Sequence, residues 1–377
     1  MSGCKGGVEV VVGSRRDGAG KVDSSNTKDP VPKARNLLAS FEKDREEQEE
    51  SELIITGRQG SYQAGLTVSQ YRRQWESRFS GMFGSFVDTT IIPPKRFTEK
   101  APQLGAFPLS TLQFFSVKLC ETRGDLKLPV DVFGMVAARD SIDHNRNIIF
   151  HRSREDCQTL SQEDPYLVLA GPTRAVMVAL SDPVIIEVEL SVKGTTESED
   201  KYLSFLVAPV FCGNKLYSCL HKYSYTSKLS TLEFKLGHIV CSVEATISIS
   251  LIDGSWPSSY RGIFTAFAVG CRPGLPGNVD DEKIVLFDSG GKKLPVTSDG
   301  GINLSRRVVS VQIGGKLQVY VDVMARGKNV KRKMRDFKSS EDGESNDIFN
   351  MGFCKMQVTV NWSLISYYSA PREAGGK

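Results

Sequence analysis

The sequence offers few of the patterns on which enzymes and metalloproteins depend. Its 377 residues include 4 histidines, and none of its 8 cysteines forms a Cys-x-x-Cys pair. It contains no Gly-x-Ser-x-Gly motif, and the glycine-rich stretch 13–22 ends on Val22, where a phosphate-binding loop has the serine or threonine that holds magnesium. The sequence therefore predicts no catalytic site, no cofactor and no metal centre of a known pattern, and hence a protein that is not an enzyme.

Strong net charge and long apolar runs are also absent. The formal net charge is +4, too near neutral for a nucleic-acid coat protein. No apolar run is long enough to span a bilayer, and the opening GVEVVVG is too short for the apolar part of a signal peptide. The cysteines are scattered through mostly apolar stretches, which predicts reduced, buried thiols in a cytoplasmic protein, with the nucleus as the alternative.

The two ends of the chain have compositions typical of disorder. Residues 1–65 are rich in Gly, Ser, Asp and Lys and contain the acidic run Glu46–Glu50. Such a segment buries too little apolar surface to offset the entropy of ordering it. We expect a disordered, partly acidic tail over 1–65 and a disordered C-terminus over 369–377.

An amphipathic helix and an extended linker are predicted over 66–104. Tyr71, Trp75, Phe79 and Phe83 recur every fourth residue, the spacing of one helical face. We expect this aromatic stripe to dock the helix on the main domain, the alternative being a partner-binding or RNA-contacting helix. The prolines of IIPPKRF then predict an extended segment.

Residues 105–368 alternate with the period of β-strands. In CSVEATISISL, Cys241 to Leu251 place apolar side chains on one face and Ser242, Glu244 and Thr246 on the other, and KMQVTVNWSL places Trp362 inward. Gly314-Gly315 predicts a tight hairpin. No comparable helices separate the strands, so we predict an all-β domain, either an antiparallel β-sandwich or packed half-barrels.

The stretch Arg139–Leu160 holds the densest set of candidate chemical groups. Arg139, Asp140, Asp143 and His144 lie within six residues and are the candidate ligand or partner contacts. The His-Glu-x-x-His spacing of hydrolytic zinc sites is absent, and two or three oxygens are few for calcium. Aspartate and asparagine also cap turns, so a structural turn between strands is the favoured interpretation, with a ligand site as the alternative.

A second candidate is the basic cluster at 326–338. We expect this segment to be a long solvated loop between two late strands. The alternative is a loop that contacts phosphate groups of a nucleic acid or another ligand, or a nuclear-import patch. The candidate contacts in this cluster are Lys331, Arg332, Lys333 and Arg335.

Several blocks of the chain resemble a family. PVDVFGMVAARDSIDHNRNIIFHRSREDCQTL and GFCKMQVTVNWSLI are similar to blocks of the plant, mainly grass, proteins grouped as domain of unknown function 6598. The resemblance covers about 71–366. Some relatives are joined to ribosome-inactivating N-glycosylase domains, which implies an association with defence or stress.

The glycosylase activity itself is not expected in this chain. The sequence EATI at Glu244 begins like the catalytic helix of those enzymes, but Ile247 stands where they have arginine. The alternation also predicts a strand, with Glu244 alone on an outer face. We therefore predict a non-enzymatic plant protein-interaction module. Two alternatives stay open: nucleic-acid or phosphate binding through 326–338, and an enzyme with an unrecognised site near Arg139–Asp156. The sequence specifies neither the protein partner nor the oligomeric state.

Overall fold

A computed structural model describes residues 54–56, 67–99, 105–213, 215–271, 278–325 and 328–368. All of them belong to one unit, Glu46–Lys377. The predicted tail at 1–65 lies outside the described residues except for Ile54–Thr56, a short strand. The predicted disordered C-terminus at 369–377 lies outside them entirely.

The predicted helix is present and docks through its aromatic face. Helix α1 spans Val68–Phe83 and begins at Thr67, whose hydroxyl accepts from the Gln70 N–H while the Gln70 side chain accepts from the Thr67 N–H. These reciprocal bonds satisfy donors that a helix start leaves unpaired. Tyr71 and Trp75 are buried, and the Trp75 indole donates to the carbonyl of His144 at 2.8 Å.

The rest of the described chain consists of strands joined by turns and loops, as the alternation predicted. One 3₁₀ turn, Glu197–Glu199, interrupts it. The strands are β1 Ile54–Thr56, β2 Ala106–Phe107, β3 Leu109–Thr122, β4 Val130–Arg139, β5 Asn147–Arg152, β6 Gln158–Leu160, β7 Val184–Val192, β8 Lys201–Val210, β9 Cys219–Ser227, β10 Ser230–Gly254, β11 Arg261–Val269, β12 Ile284–Asp288, β13 Val308–Gln312, β14 Lys316–Ala325, β15 Lys328–Lys338, β16 Glu344–Asn350, β17 Cys354–Ser363 and β18 Ile365–Ser366.

Three antiparallel sheets form two sandwiches. A seven-stranded sheet contains β1, β9, β10, β17 and β16 in that order, with β3 and β13 also paired to β10. A five-stranded sheet has the order β5-β4-β7-β8 with β6 beside β4, and a four-stranded sheet has the order β12-β11-β14-β15. The pair β18-β2 stands apart.

Strand β10 joins the two sandwiches because its 25 residues run through both. Its first half pairs with β9 and β3 and packs, through Phe234, against the five-stranded sheet. Its second half pairs with β17 and β13 and packs, through Ile247, against the four-stranded sheet. We call these the N-terminal and C-terminal sandwiches. Trp362 lies fully buried in the C-terminal core, as predicted.

The tight turn at Gly314 does not make a hairpin. Gly314 has a φ of +79°, which a residue without Cβ adopts at little cost, and the Gly315 N–H donates to the Gln312 carbonyl. However, β13 pairs with β10 whereas β14 pairs with β11 and β15. The turn therefore carries the chain from one sheet of the sandwich to the other, which local sequence does not distinguish from a hairpin.

Two further expectations were wrong in part. Cys241 does not point inward but is exposed, because a bulge in the pairing of β10 with β3 gives it a φ of +46°. Cys120 and Cys271 are exposed as well, and every described cysteine is a free thiol. The proline-containing segment after α1 is not a bare linker, since Ile92 and Phe97 are buried against the sandwiches.

Candidate functional site

The predicted polar site is a turn between β4 and β5 whose acidic side chains bond to their own backbone. Asp140 Oδ1 accepts from the Ile142 N–H and Asp143 Oδ1 accepts from the Asn145 N–H, each at 3.2 Å. His144 adopts a φ of +52°, which turn residues of this kind tolerate. Both aspartates therefore accept hydrogen bonds from N–H groups of the turn itself.

Arg174, which sequence reasoning did not single out, is the centre of this site. Its side chain is buried and forms a two-bond pair with Asp140 at 2.7 and 2.8 Å and a third bond to Asp143 at 2.9 Å. Its Nε donates to the Thr90 hydroxyl and its Nη1 also donates to the Ala175 carbonyl. A guanidinium has five N–H donors, so every one of them is used within the protein.

The charge of Arg174 is fixed by these partners. Burial disfavours the guanidinium cation, but the carboxylates of Asp140 and Asp143 hold the pKa of Arg174 above its ordinary value. The Met177 N–H donates to Asp140 Oδ2 at 2.8 Å, and the Thr90 hydroxyl donates to Asp143 Oδ2 at 2.5 Å. Both carboxylates are thus turned inward and occupied.

A second buried ion cluster lies beside the first and binds the segment that follows the helix. Glu187 on β7 accepts from Arg139 at 2.8 Å and from Arg146 at 2.5 and 3.1 Å. The other nitrogens of Arg139 donate to the carbonyls of Phe86 and His144. Burial lowers the pKa of Arg139, and Glu187 opposes that shift. This cluster connects β4, β7 and the segment that follows α1.

The His144 side chain takes no part in either ion cluster. Its ring stacks on Phe79 of α1, with ring centroids 3.7 Å apart and planes inclined by 14°. Burial lowers the pKa of His144, so its ring is a neutral packing surface near pH 7. The four predicted residues are neighbours in space, but the imidazole and the carboxylates face different partners.

The sequence prediction for Glu244 was wrong, because its side chain does not lie alone on an outer face. It is buried, with one oxygen accepting from the Ala175 N–H at 2.7 Å and the other from the Lys95 N–H at 2.8 Å. Burial raises the pKa of Glu244. The strand alternates as expected, but loop segments containing Lys95 and Ala175 cover its second face. Alternation alone does not reveal what covers a face.

The cavity beside these groups is small. A cavity of about 20 Å³ is lined in part by Arg96, Arg174 and Glu244, which is room for about one water molecule. Within the ranges that the structure describes, no three His, Cys, Asp or Glu side chains are placed to hold a metal ion. The hydrogen bonds of this site connect α1 to the turn, through Trp75 and His144, and connect the Arg174–Ala175 segment to β10, through Glu244.

The basic cluster is a strand and not the predicted loop. Residues 328–338 form β15, the edge strand of the four-stranded sheet, which pairs antiparallel with β14 and has one register shift between Val323 and Met324. Six basic residues in eleven are compatible with a strand here because an edge strand needs to pair on one side only. Charged residues on edge strands also discourage unwanted strand pairing.

The β15 side chains alternate between two faces and most of them have partners. Lys331 donates to the Met351 carbonyl at 2.6 Å, and Arg335 donates to the Ile348 carbonyl and pairs with Asp347 at 2.9 Å. Arg332 lies on the other face and pairs with Asp322 at 2.6 and 3.0 Å. Lys333 lies opposite Val321. The four candidates therefore do not converge on one point, and they lie on a different sandwich from Arg139–His144.

The residues that sequence reasoning missed come from distant parts of the chain. Arg174, Glu187 and Glu244 each reach the site from a separate strand or loop. The available signal was a single charged residue inside an apolar run, as for Arg174 in AGPTRAVMVAL and Glu187 in VIIEVELSV. Such residues are seldom fully buried unless they are paired.

The fold and the site define an all-β protein of two sandwiches that share one strand. The chain belongs to the family described as Domain of unknown function (DUF6598), whose profile matches residues 111–360. The match is narrower than the predicted 71–366, since α1 and the segment after it precede it. No curated protein matches the chain.

Comparison with solved structures gives only distant likenesses. The human GIVD cytosolic phospholipase A2 is 7% identical, with 71% of this chain and 31% of that chain covered and a TM-score of 0.22. The paired C2 domains of extended-synaptotagmin 2, in a calcium-bound structure, are 10% identical, with 70% and 99% covered and a TM-score of 0.23. Structural similarity at this level does not indicate a shared function. In the described part of the chain, no helix is both long and apolar enough to cross a membrane.

Proposed function

We propose that this chain is a non-enzymatic protein-interaction module. The observation that carries the proposal is a row of side chains across the outer face of the four-stranded sheet. Register places Val285, Thr265, Tyr320 and Met334 side by side on β12, β11, β14 and β15. Val285 and Met334 are exposed and Tyr320 is half-buried, whereas Thr265 is buried between its neighbours, so the row is open to solvent at both ends and on Tyr320.

The chemistry of this face is that of a protein interface. Phe267 packs edge-on against Tyr320 with centroids 5.3 Å apart, and the Arg332 guanidinium lies 5.5 Å from the Tyr320 ring centroid. Aromatic residues, methionine and arginine are the types enriched in interface cores. Because Asp322 offsets the charge of Arg332, the face suits a protein partner better than a phosphate backbone.

The inward orientation of the polar site supports the non-enzymatic part of the proposal. All five N–H donors of Arg174 are used internally, and both oxygens of Glu244 accept from backbone N–H groups. Catalysis requires groups that a substrate reaches. We expect purified protein to leave ribosomes intact in a cell-free depurination assay. Depurination by wild type that is lost in Glu244→Gln would overturn this part.

The biological setting is proposed on separate grounds. A role in plant defence or stress comes from the family resemblance alone, and a cytoplasmic or nuclear location comes from the unpaired cysteines. Neither is needed for the interaction proposal.

A photo-crosslinking experiment tests the interaction surface. A photoreactive phenylalanine analogue replaces Met334 in one protein and Tyr166, an exposed aromatic on the N-terminal sandwich, in the control. In an extract of the source tissue we expect a discrete crosslinked species from position 334, absent from position 166 and lost when Tyr320 is also changed to Ser. The captured protein is then purified and its affinity measured.

The affinity measurement decides the outcome. We expect Tyr320→Ser to weaken binding by about tenfold or more, as for an aromatic at the centre of an interface, while the melting temperature shows that the variant is folded. Equal affinity of wild type and variant, or equal crosslinking from both positions, would overturn the proposal.

A further inference from the structure

One end of the N-terminal sandwich presents large apolar side chains to solvent. The segment between β8 and β9 exposes Phe211, Leu216 and Tyr217 to 55, 91 and 53%. The segment before β7 exposes Leu180 to 74%. Because Val184 of β7 pairs with Val210 of β8, the two segments leave the same end of the five-stranded sheet side by side. We call these four side chains the apolar loop end.

The loop between β8 and β9 has a buried base and an exposed tip. Cys212 at one end is buried in the N-terminal core, and Ser218 at the other is buried and accepts from the Val240 N–H. Gly213 has a φ of +63° and Leu216 is the most exposed of the four apolar side chains. Leu216 and Tyr217 are therefore exposed, although Cys212 and Ser218 on either side of them along the chain are buried.

The chain that forms the tip and enters β9 carries charge of one sign. From Phe211 to Lys228 the chain contains lysines at 215, 222 and 228 and no Asp or Glu. Lys215 and Lys222 are exposed. The neighbouring segment 179–183 contributes one acid, Asp182. A protruding apolar tip with cationic flanks complements a surface that is anionic at its boundary and apolar beneath it.

We propose that the apolar loop end inserts into the surface of a bilayer that contains anionic phospholipids. Leucine and phenylalanine gain by leaving water for the acyl boundary, and tyrosine prefers the headgroup level. Lysines close to the surface are attracted by anionic headgroups. A convex tip enters lipid without a complementary pocket, whereas a protein partner would need a large matched surface around it. This surface and the proposed protein-interaction face lie on different sandwiches, so either proposal can fail without the other.

Vesicle co-sedimentation of the full chain tests the insertion. We expect wild type to bind vesicles of phosphatidylcholine with phosphatidylserine at least about tenfold better than vesicles of phosphatidylcholine alone. Leu216→Ser is expected to lower binding by about tenfold, and the double change Lys215→Ser and Lys222→Ser to weaken it and reduce its salt dependence. The control is Val330→Ser, an exposed apolar position on β15 in the other sandwich, which should bind as wild type does.

A fluorescence measurement separates insertion from adsorption. The described tryptophans Trp75, Trp256 and Trp362 are buried, so a Tyr217→Trp variant carries a reporter at the tip. We expect lipids brominated on their acyl chains to quench this reporter in phosphatidylserine-containing vesicles. Thermal melting checks that the Leu216 and Tyr217 variants are folded.

Three results would each overturn the proposal. The first is failure of wild type to bind either kind of vesicle, and the second is binding by Leu216→Ser that equals that of wild type. The third is a reporter that stays unquenched while the protein sediments with vesicles. Self-association of wild type without vesicle binding, lost in Leu216→Ser, would assign the patch to protein docking instead.

Discussion

Arg174 and Asp140 face each other through two parallel hydrogen bonds of 2.7 and 2.8 Å, with both side chains withdrawn from solvent. The pair ties the chain after β6 to the turn that follows β4. Because Asp143 and Thr90 complete the same network, removing the guanidinium would leave two buried carboxylates without their cation.

Arg174→Ala should therefore destabilise the fold strongly. We expect a loss of about 3–5 kcal/mol in the free energy of unfolding, the cost of leaving buried charges uncompensated. The matched control is Arg152→Ala, which breaks the exposed pair with Asp156 and should cost at most about 1 kcal/mol. Urea denaturation of both variants measures the difference, and similar values for the two would contradict the structural role given to Arg174.

Trp362→Ala should cost a comparable amount for a different reason. The indole is fully buried in the C-terminal core and its Nε1 donates to the Ser345 hydroxyl at 3.0 Å. Truncation leaves a large cavity, which we expect to cost about 3–5 kcal/mol. Ser345→Ala removes only the hydrogen bond and should cost about 1 kcal/mol. A near-neutral result for Trp362→Ala in thermal unfolding would place the side chain outside the core.

Stability should fall in mildly acidic solution because of His238. Its ring is buried and neither ring nitrogen has a hydrogen-bond partner, and burial, followed by the nearby His221 and Lys215, lowers the pKa of His238 to about 4. The unfolded chain takes up this proton near pH 6.5 and the folded chain does not until about pH 4. The folded state therefore keeps its full free energy of unfolding above about pH 6.5. As the pH falls from 6.5 toward 4, the unfolded chain binds a proton at His238 that the folded chain does not, and stability is lost.

The size of this effect is about 3 kcal/mol, since each unit of pKa shift corresponds to about 1.4 kcal/mol. His238→Leu should show a shallower loss of stability between pH 6.5 and pH 4. Unfolding free energies measured at several pH values test this, and parallel profiles for wild type and variant would rule out His238 as the source.

The basic strand should matter for stability and not for RNA binding. Replacing Lys331, Arg332, Lys333 and Arg335 with Ser removes the bonds to Met351, Ile348, Asp347 and Asp322. We expect a loss of about 1–3 kcal/mol, more than the negligible effect expected of the same change in a solvated loop. Lys338→Ser, on the same strand, is the control and should be nearly neutral.

RNA binding gives the second measurement on the same proteins. We expect no RNA binding by wild type at physiological salt, because the cations of β15 are split between two faces. Binding by wild type that disappears in the quadruple variant, with a steep dependence on salt, would favour the phosphate-contacting alternative instead.

Several features of this protein follow from its sequence alone because they depend on neighbours along the chain. The four-residue spacing of Tyr71 and Trp75 specifies a helix with one buried face, and the capping residues around Thr67 fix where it begins. Alternation places Trp362 inward on β17. The turn at Asp140–Asn145 is likewise local, since aspartate side chains reach N–H groups two residues away.

Tertiary structure decided the rest, because burial depends on what packs against a residue from elsewhere. The face of β10 that carries Glu244 has the same alternation whether solvent or Ala175 and Lys95 lie over it. The tight turn at Gly314 has the same chemistry whether its strands pair with each other or enter different sheets. Arg174 becomes the centre of the polar site only when the fold brings Asp140 and Asp143 to it across more than thirty residues of chain. Local sequence encodes backbone preference and periodicity, whereas the pairing of distant charges and strands is settled by the free energy of the whole packed core.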